Sequence, residues 1–202
     1  QSMAETEVFG TLAASLAGNS PFIARTCLRY PELLPFIASV SPSKGFETSL
    51  NEVTAAGTGA STFDELMSIV RRAKSEMAVR TSAADVSGLW SLEDVTENLT
   101  RFADTILEAG FTWLLQRASE KGDIVGDAVS TATSGLVVLA MGKYGSGELN
   151  YSSDIDIVVF YEPGTLSLKG GLDESTFFVR LTKDIVKLMQ ERTADGYVFR
   201  TD

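Results

Sequence analysis

Leu92, Val95, Leu99, Phe102, Ile106, Gly110 and Trp113 recur every three or four residues. That period is one stripe of an α-helix. Ser91 and Asp94 ahead of it have the spacing of a capping box. The pattern predicts a helix running to about residue 119, roughly 40 Å long at ~1.5 Å per residue. A helix that long with one apolar face needs other helices against it. Trp113 is then a core residue rather than a ligand platform.

The preceding sequence supplies the partners. Val8, Phe9, Leu12, Ala13 and Leu16 make a stripe over residues 4–17, which Gly18 and Asn19 can end. Ser20-Pro21 reads as an N-cap with proline at the first helical position. Pro31, Pro35 and Pro42 predict short helices next. TAAGTGA, residues 54–60, reads as a flexible junction. A further helix follows, opened by Ser61 with Asp64 or by Thr62 with Glu65. It buries Phe63, Leu66, Met67, Val70, Ala73 and Met77. Arg71, Arg72, Lys74, Glu76 and Arg80 then form a solvated face. Residues 3–119 are expected to be a helical region packed on a second unit, 120–202. Gln1 and Ser2 look like a tag remnant ahead of a native start at Met3.

The period changes after Gly135. LVVLAM, residues 136–141, and DIDIVVFY, 154–161, suit strands buried on both faces. EPGTLSLKGG is a loop. Phe177, Leu181, Ile185, Leu188 and Met189 mark a helix over about 173–192, and YVFRTD, 197–202, begins a third strand. The chain stops in mid-element, as a fragment would.

Composition removes several function classes. The 202 residues carry 27 acids and 17 bases, a formal net charge of −10. That disfavours a nucleic-acid surface or docking on anionic lipid. There is one cysteine, Cys27, and no histidine. An internal disulfide, a Cys/His zinc site and a histidine-based triad are excluded. Cys27 lies among apolar neighbours and reads as a buried structural thiol. No run reaches the roughly 20 apolar residues of a membrane helix. With no signal peptide evident, the expected location is cytoplasmic.

The chemistry concentrates in GKYGSGELNYSSDIDIVVFY, residues 142–161. Asp154 and Asp156 are two apart, so on a strand both carboxylates leave one face. Two carboxylates there call for matched charge, and a divalent cation such as Mg²⁺ is the natural match, with Mn²⁺ an alternative. Gly142, Gly145 and Gly147 allow close backbone approach around Lys143 and Ser146. A turn ending at Ser146 and a short helix through Glu148, Leu149 and Asn150 would offer N–H groups to a phosphate. Lys143 could neutralise an anion. Neither GxxxxGK[ST] nor GxGxxG is present. Nucleotide transfer is the favoured reading; a polar strand edge and an isolated calcium site are the others. Asp202 is the candidate for a third carboxylate. Asp184 and Asp195 are rivals with ordinary structural explanations.

GLVVLAMGKYGSGELNYSSDIDIVVFY closely resembles the nucleotidyltransferase signature of the bacterial glutamine synthetase adenylyltransferases, a G-[GS] turn, a spacer and DxD. The matching positions are Gly145, Ser146, Asp154 and Asp156. FRTD resembles the start of that family's FR-x-D-x-RLRP strand, which makes Asp202 the third acidic residue. The run from Arg71 to Leu115, including WSLEDVTENLTRFAD, resembles the helical region before the catalytic fold.

The resemblance implies an α+β fold: a polymerase β-like nucleotidyltransferase core with a mixed sheet, incomplete at its C-terminal end. It implies that Asp154, Asp156 and Asp202 hold Mg²⁺ and that Gly145 and Ser146 grip phosphate; Gly142 and Lys143 join the phosphate side on the reading of the turn itself. Such enzymes contain two related nucleotidyltransferase domains. One transfers AMP from ATP to a tyrosine of glutamine synthetase. The other removes it with inorganic phosphate and yields ADP. Both answer to the PII nitrogen regulatory protein, alone or uridylylated. Met3 lies about 130 residues ahead of the motif, and MGKYGSGELNYSSDID resembles the removing half more. Deadenylylation is therefore expected, with adenylylation, or an inactive regulator-docking fragment, as alternatives.

Overall fold

The computed structural model describes residues 3–126 and 129–202, with the side chains of 3–9 and 36–38 left out. Gln1 and Ser2, and the side chains of Val8 and Phe9, lie outside the described residues. The predicted long helix is present as α6, Leu92–Glu120, and Ser91 and Asp94 close its capping box in both directions. Two earlier helices flank it: α4, Pro42–Gly59, and α5, Phe63–Val86. Thr62 caps α5 by accepting from the Glu65 N–H, and the Glu65 carboxylate reaches back to the Ser61 N–H. The shorter α1, Met3–Asn19, α2, Pro21–Arg29, and α3, Leu33–Ser39, come first.

Residues 54–59 are helix, not a junction. Gly57 explains why. A Cβ there would lie 2.9 Å from the Cα and carbonyl oxygen of Ala109, so α4 and α6 meet backbone to backbone. The helical cost of glycine, ~1 kcal/mol, is offset by that contact. Beyond it, the Ala60 carbonyl is capped by α6 itself, accepting from Trp113 Nε1 and Arg117 Nη2, each at 2.8 Å. Trp113 is in the core, as its spacing predicts.

Two arginines expected in solvent are buried. Arg71, 1 % exposed, donates to the carbonyls of Met67, Glu191 and Gly196. Burial holds its guanidinium below the ordinary range, with Glu191 and Asp195 opposing that shift. Arg80, also 1 % exposed, lies flat on Gly45, where a Cβ would stand 2.0 Å from Nη1. Cys27 is half-buried rather than enclosed.

After α6 the chain forms β1, Leu136–Met141, a short helix α7, Gly142–Gly145, β2, Asp156–Tyr161, and α8, Glu174–Gln190. Asp173 caps α8. β1 and β2 pair antiparallel, with Val137 opposite Phe160, Leu139 opposite Val158 and Met141 opposite Asp156. The final residues run parallel to the start of β2. The N–H groups of Ile155 and Ile157 donate to Arg200 and Asp202, and that of Asp202 to Ile155. YVFRTD thus enters the sheet through one parallel bridge, Ile155 to Thr201. The fold is α+β, a largely helical domain with a small open mixed sheet preceded by N-terminal helices.

The strands are not buried on both faces. Leu136, Val138, Ile157, Val159 and Tyr161 pack inward, and Tyr161 stacks on Phe178 of α8 at 4.5 Å. Val137, Leu139, Met141, Val158 and Phe160 face out. Apolar side chains on both faces of a strand look the same in sequence whether one face is covered or two. α8 then meets α6 at Gly110, where a Cβ would strike Leu188 and Ile185 at 2.7 and 2.8 Å.

The Gly57 contact makes a paired prediction. Gly57→Ala should cost about 1–3 kcal/mol in urea unfolding, because the methyl meets backbone. Gly59→Ala has nothing within 4 Å and should gain about 0.5 kcal/mol. Equal effects would remove the α4–α6 contact as the reason for glycine.

Candidate active site

The glycine-rich turn folds differently from its sequence expectation. The short helix precedes Ser146 instead of following it. The N–H groups of 148–150, expected to face a phosphate, are engaged by Lys143 O, Thr100 Oγ1 and Ser153 Oγ. Gly142 opens the turn at φ +56°, a left-handed conformation that disfavours any side chain. A Cβ there would also sit 3.1 Å from Asp156 Oδ2. At Gly145 a Cβ would strike the Ala140 carbonyl oxygen at 2.5 Å. The turn therefore doubles back tightly on the end of β1.

Helix α6 holds the turn in place. Tyr144, buried within α7, donates its hydroxyl to Asp104 Oδ1 at 2.6 Å, and Leu149 buries beside Thr100. Desolvation, then the Asp104 hydrogen bond and charge, push the Tyr144 phenol well above its ordinary range. Past the turn, Asn150 organises the approach to β2. Its side-chain oxygen accepts from the Ser152 N–H and the Ser153 hydroxyl, an Asx-type turn.

Asp154 and Asp156 emerge at the end of that turn. Ile155 between them is fully buried, so both carboxylates leave the opposite, exposed face of the strand. Together with Lys143, Asn150, Ser152 and Ser153 they line a cleft of about 360 Å³. Arg200 Nη2 lies 3.5 Å from Asp154 Oδ2. In the parallel bridge Thr201 is buried alongside Ile155, which turns its neighbours Arg200 and Asp202 toward the face of Asp154 and Asp156.

Of the residues proposed from sequence, the cleft gathers Lys143, Asp154 and Asp156, with Gly142 against Asp156. Gly145 shapes the turn. Ser146 lies outside the lining, its hydroxyl turned toward the Lys143 carbonyl and Glu148. Asp202 shares the sheet face without lining the cleft. Asp184 is half-buried on α8, and Asp195 pairs with Arg29 and Tyr30. Asn150, Ser152, Ser153 and Arg200 were missed. The N-x-S-S run was the available signal, since such residues bend the chain by bonding their own backbone.

The carboxylates, the Ser152 and Ser153 hydroxyls and the Asn150 side chain bring oxygen atoms to the cleft, the ligand type that hard divalent cations prefer. Among the described residues no three acidic side chains converge closely enough to hold a metal ion. Asp154 and Asp156 are the pair that would carry such an ion, and Arg200 now occupies part of the Asp154 charge.

Tyr144→Phe tests the anchor. It should cost about 1 kcal/mol near neutral pH by removing a hydrogen bond to a charged acceptor. A phenol pKa raised on folding leaves stability intact below pH 10 and loses it as pH rises past that value. The variant should therefore show a shallower loss above pH 10 than the parent in urea unfolding. Identical alkaline slopes would contradict the buried-phenol assignment.

Comparison with known proteins places the chain in a family. Residues 11–202 match the family model described as glutamate-ammonia ligase adenylyltransferase. The chain is 38 % identical over 196 residues to the bifunctional glutamine synthetase adenylyltransferase/adenylyl-removing enzyme of Rhodopseudomonas palustris (strain BisB5), covering 96 % of this chain and 20 % of that protein. The protein of the same description from Rhizobium meliloti (strain 1021) is 41 % identical over 191 residues, 91 % of this chain and 19 % of its own length. The chain spans about a fifth of the length of these curated relatives. The chain belongs to the glutamate-ammonia ligase adenylyltransferase family.

Proposed function

We propose that this chain carries the adenylyl-removing chemistry of its family, phosphorolysis of an AMP–tyrosine bond on glutamine synthetase. The observation that carries the reading is the cleft itself. Asp154 and Asp156 leave one face of β2 beside the Lys143 ammonium, an arrangement suited to two phosphates and the cation that screens them. The named relatives include both adenylyl transfer and removal. The run MGKYGSGELNYSSDID supports removal.

An oxygen of inorganic phosphate attacks the AMP phosphorus and forms the phosphoanhydride bond of ADP. The phosphorus–oxygen bond to tyrosine breaks, and its electron pair leaves on the phenol oxygen, which takes a proton from solvent or from a neighbouring side chain. A reference pKa of roughly 10 makes that phenol a tolerable leaving group without a strong acid, which fits a chain with no histidine. Asp154 and Asp156 would hold Mg²⁺ or Mn²⁺, Asp202 on the same sheet face would have to turn toward them to serve as the third carboxylate, and the bound ion would supply charge neutralisation at the transferring phosphoryl group. Lys143 pairs with a phosphate oxygen. The Asn150–Ser153 turn presents hydroxyl and backbone groups to the same cleft. Gly142 keeps the backbone clear of Asp156, and Gly145 with Ser146 shape the phosphate-side turn. On this reading the protein works in the cytoplasm, meets glutamine synthetase and takes its signal from the PII protein.

The test is ADP release from adenylylated glutamine synthetase with Mg²⁺ and inorganic phosphate. ADP should form only when phosphate is present. Asp154→Ala and Asp156→Ala should each lower the rate by about 10²-fold or more, with unfolding curves close to the parent's. Full activity in either variant would sink the carboxylate role. ATP-dependent transfer of AMP to unmodified glutamine synthetase, without ADP release, would reverse the assigned direction.

A further inference from the structure

A second cavity, larger than the carboxylate cleft, opens elsewhere among the described residues. It holds about 990 Å³ and lies between α1, α2, α5 and the segment 192–200. That is the upper end of the ~300–1,000 Å³ range of small-molecule sites. We propose that this cavity binds a small organic anion with an aromatic or aliphatic body.

Charge is the first argument. The cavity wall carries Lys74, Arg29, Arg192 and Arg200 against only Asp85 and Asp195. A net positive wall stands out in a chain of net charge −10. Both acids are already engaged. Asp85 accepts from the Tyr151 hydroxyl at 2.9 Å, and Asp195 accepts from Tyr30 and pairs with Arg29. Among the described residues no ion pair engages Lys74 or Arg192. Both lie against aromatic rings: Lys74 Nζ is 4.0 Å from the Phe199 ring centroid, and the Arg192 guanidinium 5.4 Å from that of Tyr197. Desolvation pushes the half-buried Lys74 ammonium down to about 8, so an anion in the cavity would restore solvation that folding removed.

The body of the ligand follows from the rest of the wall. Leu16, Ile23 and Leu99 are buried apolar residues facing the same space as Phe22 and Phe199. Hydroxyls of Ser15, Ser75 and Ser82 interrupt them. A bare inorganic ion would leave this apolar surface unused. An anion attached to a ring or a short aliphatic chain uses both.

The site also touches the cleft. Ser152 and Ser153 line both spaces, and Arg200, which lines the cavity, pairs with Asp154. An anion that draws Arg200 into the cavity would release the Asp154 carboxylate. Binding itself requires no catalysis, so its test stands apart from the reading of the cleft.

The probe is anilinonaphthalene sulfonate, an aromatic anion whose fluorescence rises on burial. Its control is phenylnaphthylamine, the same rings without the charge. The sulfonate should bind the chain at one site and more tightly than the neutral dye. Lys74→Met keeps the apolar stem and should weaken the sulfonate by about tenfold, or about 1.4 kcal/mol. Arg192→Gln, an exposed change that leaves the core untouched, should weaken it by a smaller factor. Neither should alter the neutral dye. Equal affinity for the two dyes, or sulfonate binding unmoved by both substitutions, would overturn the proposal. So would binding lost in Phe160→Ser, which lies on the exposed sheet face.

Discussion

The backbone contact between α4 and α6 at Gly57 is the constraint from which the rest of the architecture follows. Two helices that touch through glycine and alanine lie closer than side chains normally permit. The end of α4 is then within reach of Trp113 and Arg117, whose donors satisfy the Ala60 carbonyl. At the very next residue of α6, Gly110 lets α8 close on the same helix. α6 thus becomes a shared spine, helical bundle on one side and sheet-backing helix on the other, with one apolar core running through both.

Position of the carboxylates depends on that spine. Asp104 and Thr100 lie one turn apart on α6 and receive Tyr144 and the Leu149 N–H from the glycine turn. A second attachment comes from α5. Arg71 gathers the carbonyls of Glu191 and Gly196, fixing the loop that delivers Val198 and Phe199 to the core and Arg200 to the sheet. Breaking such a buried charge from its acceptors leaves an uncompensated cation, which is why one side chain can govern the path of a whole segment. The exposed acids of the cleft are placed by side chains of α5 and α6, far from them in sequence.

Periodicity made the long elements legible. α5, α6 and α8 follow stripes visible in the chain, and the caps at Ser91 and Thr62 follow from local spacing. DxD placed Asp154 and Asp156 on one face because strand alternation needs no tertiary information. What stayed hidden depended on partners distant in sequence. Gly57 looked like a flexible residue because nothing near it names Ala109. Arg71 and Arg80 looked solvated because arginine usually is, and their acceptors or packing surfaces lie in other segments. The turn at 142–149 was displaced by a few residues because Gly145 is required by the Ala140 carbonyl, a contact that spacing alone does not express. The Asn150–Ser153 turn was readable in principle from its composition, yet its role in lining the cleft appears only once β2 is in place.

Charge is distributed unevenly, and this has a thermodynamic consequence. The acids of the sheet face and the cations of the large cavity meet at Arg200, which pairs with Asp154 while lining the other space. The pair is largely exposed, so its own contribution to stability is small. Its effect lies instead in competition. A cation drawn to Asp154 and an anion drawn to Arg200 each remove the same ion pair, so each makes the other's binding less costly. Linkage requires that coupling to be equal in both directions. Two spaces that share Ser152 and Ser153, and that the Arg200–Asp154 pair joins, would then be energetically connected.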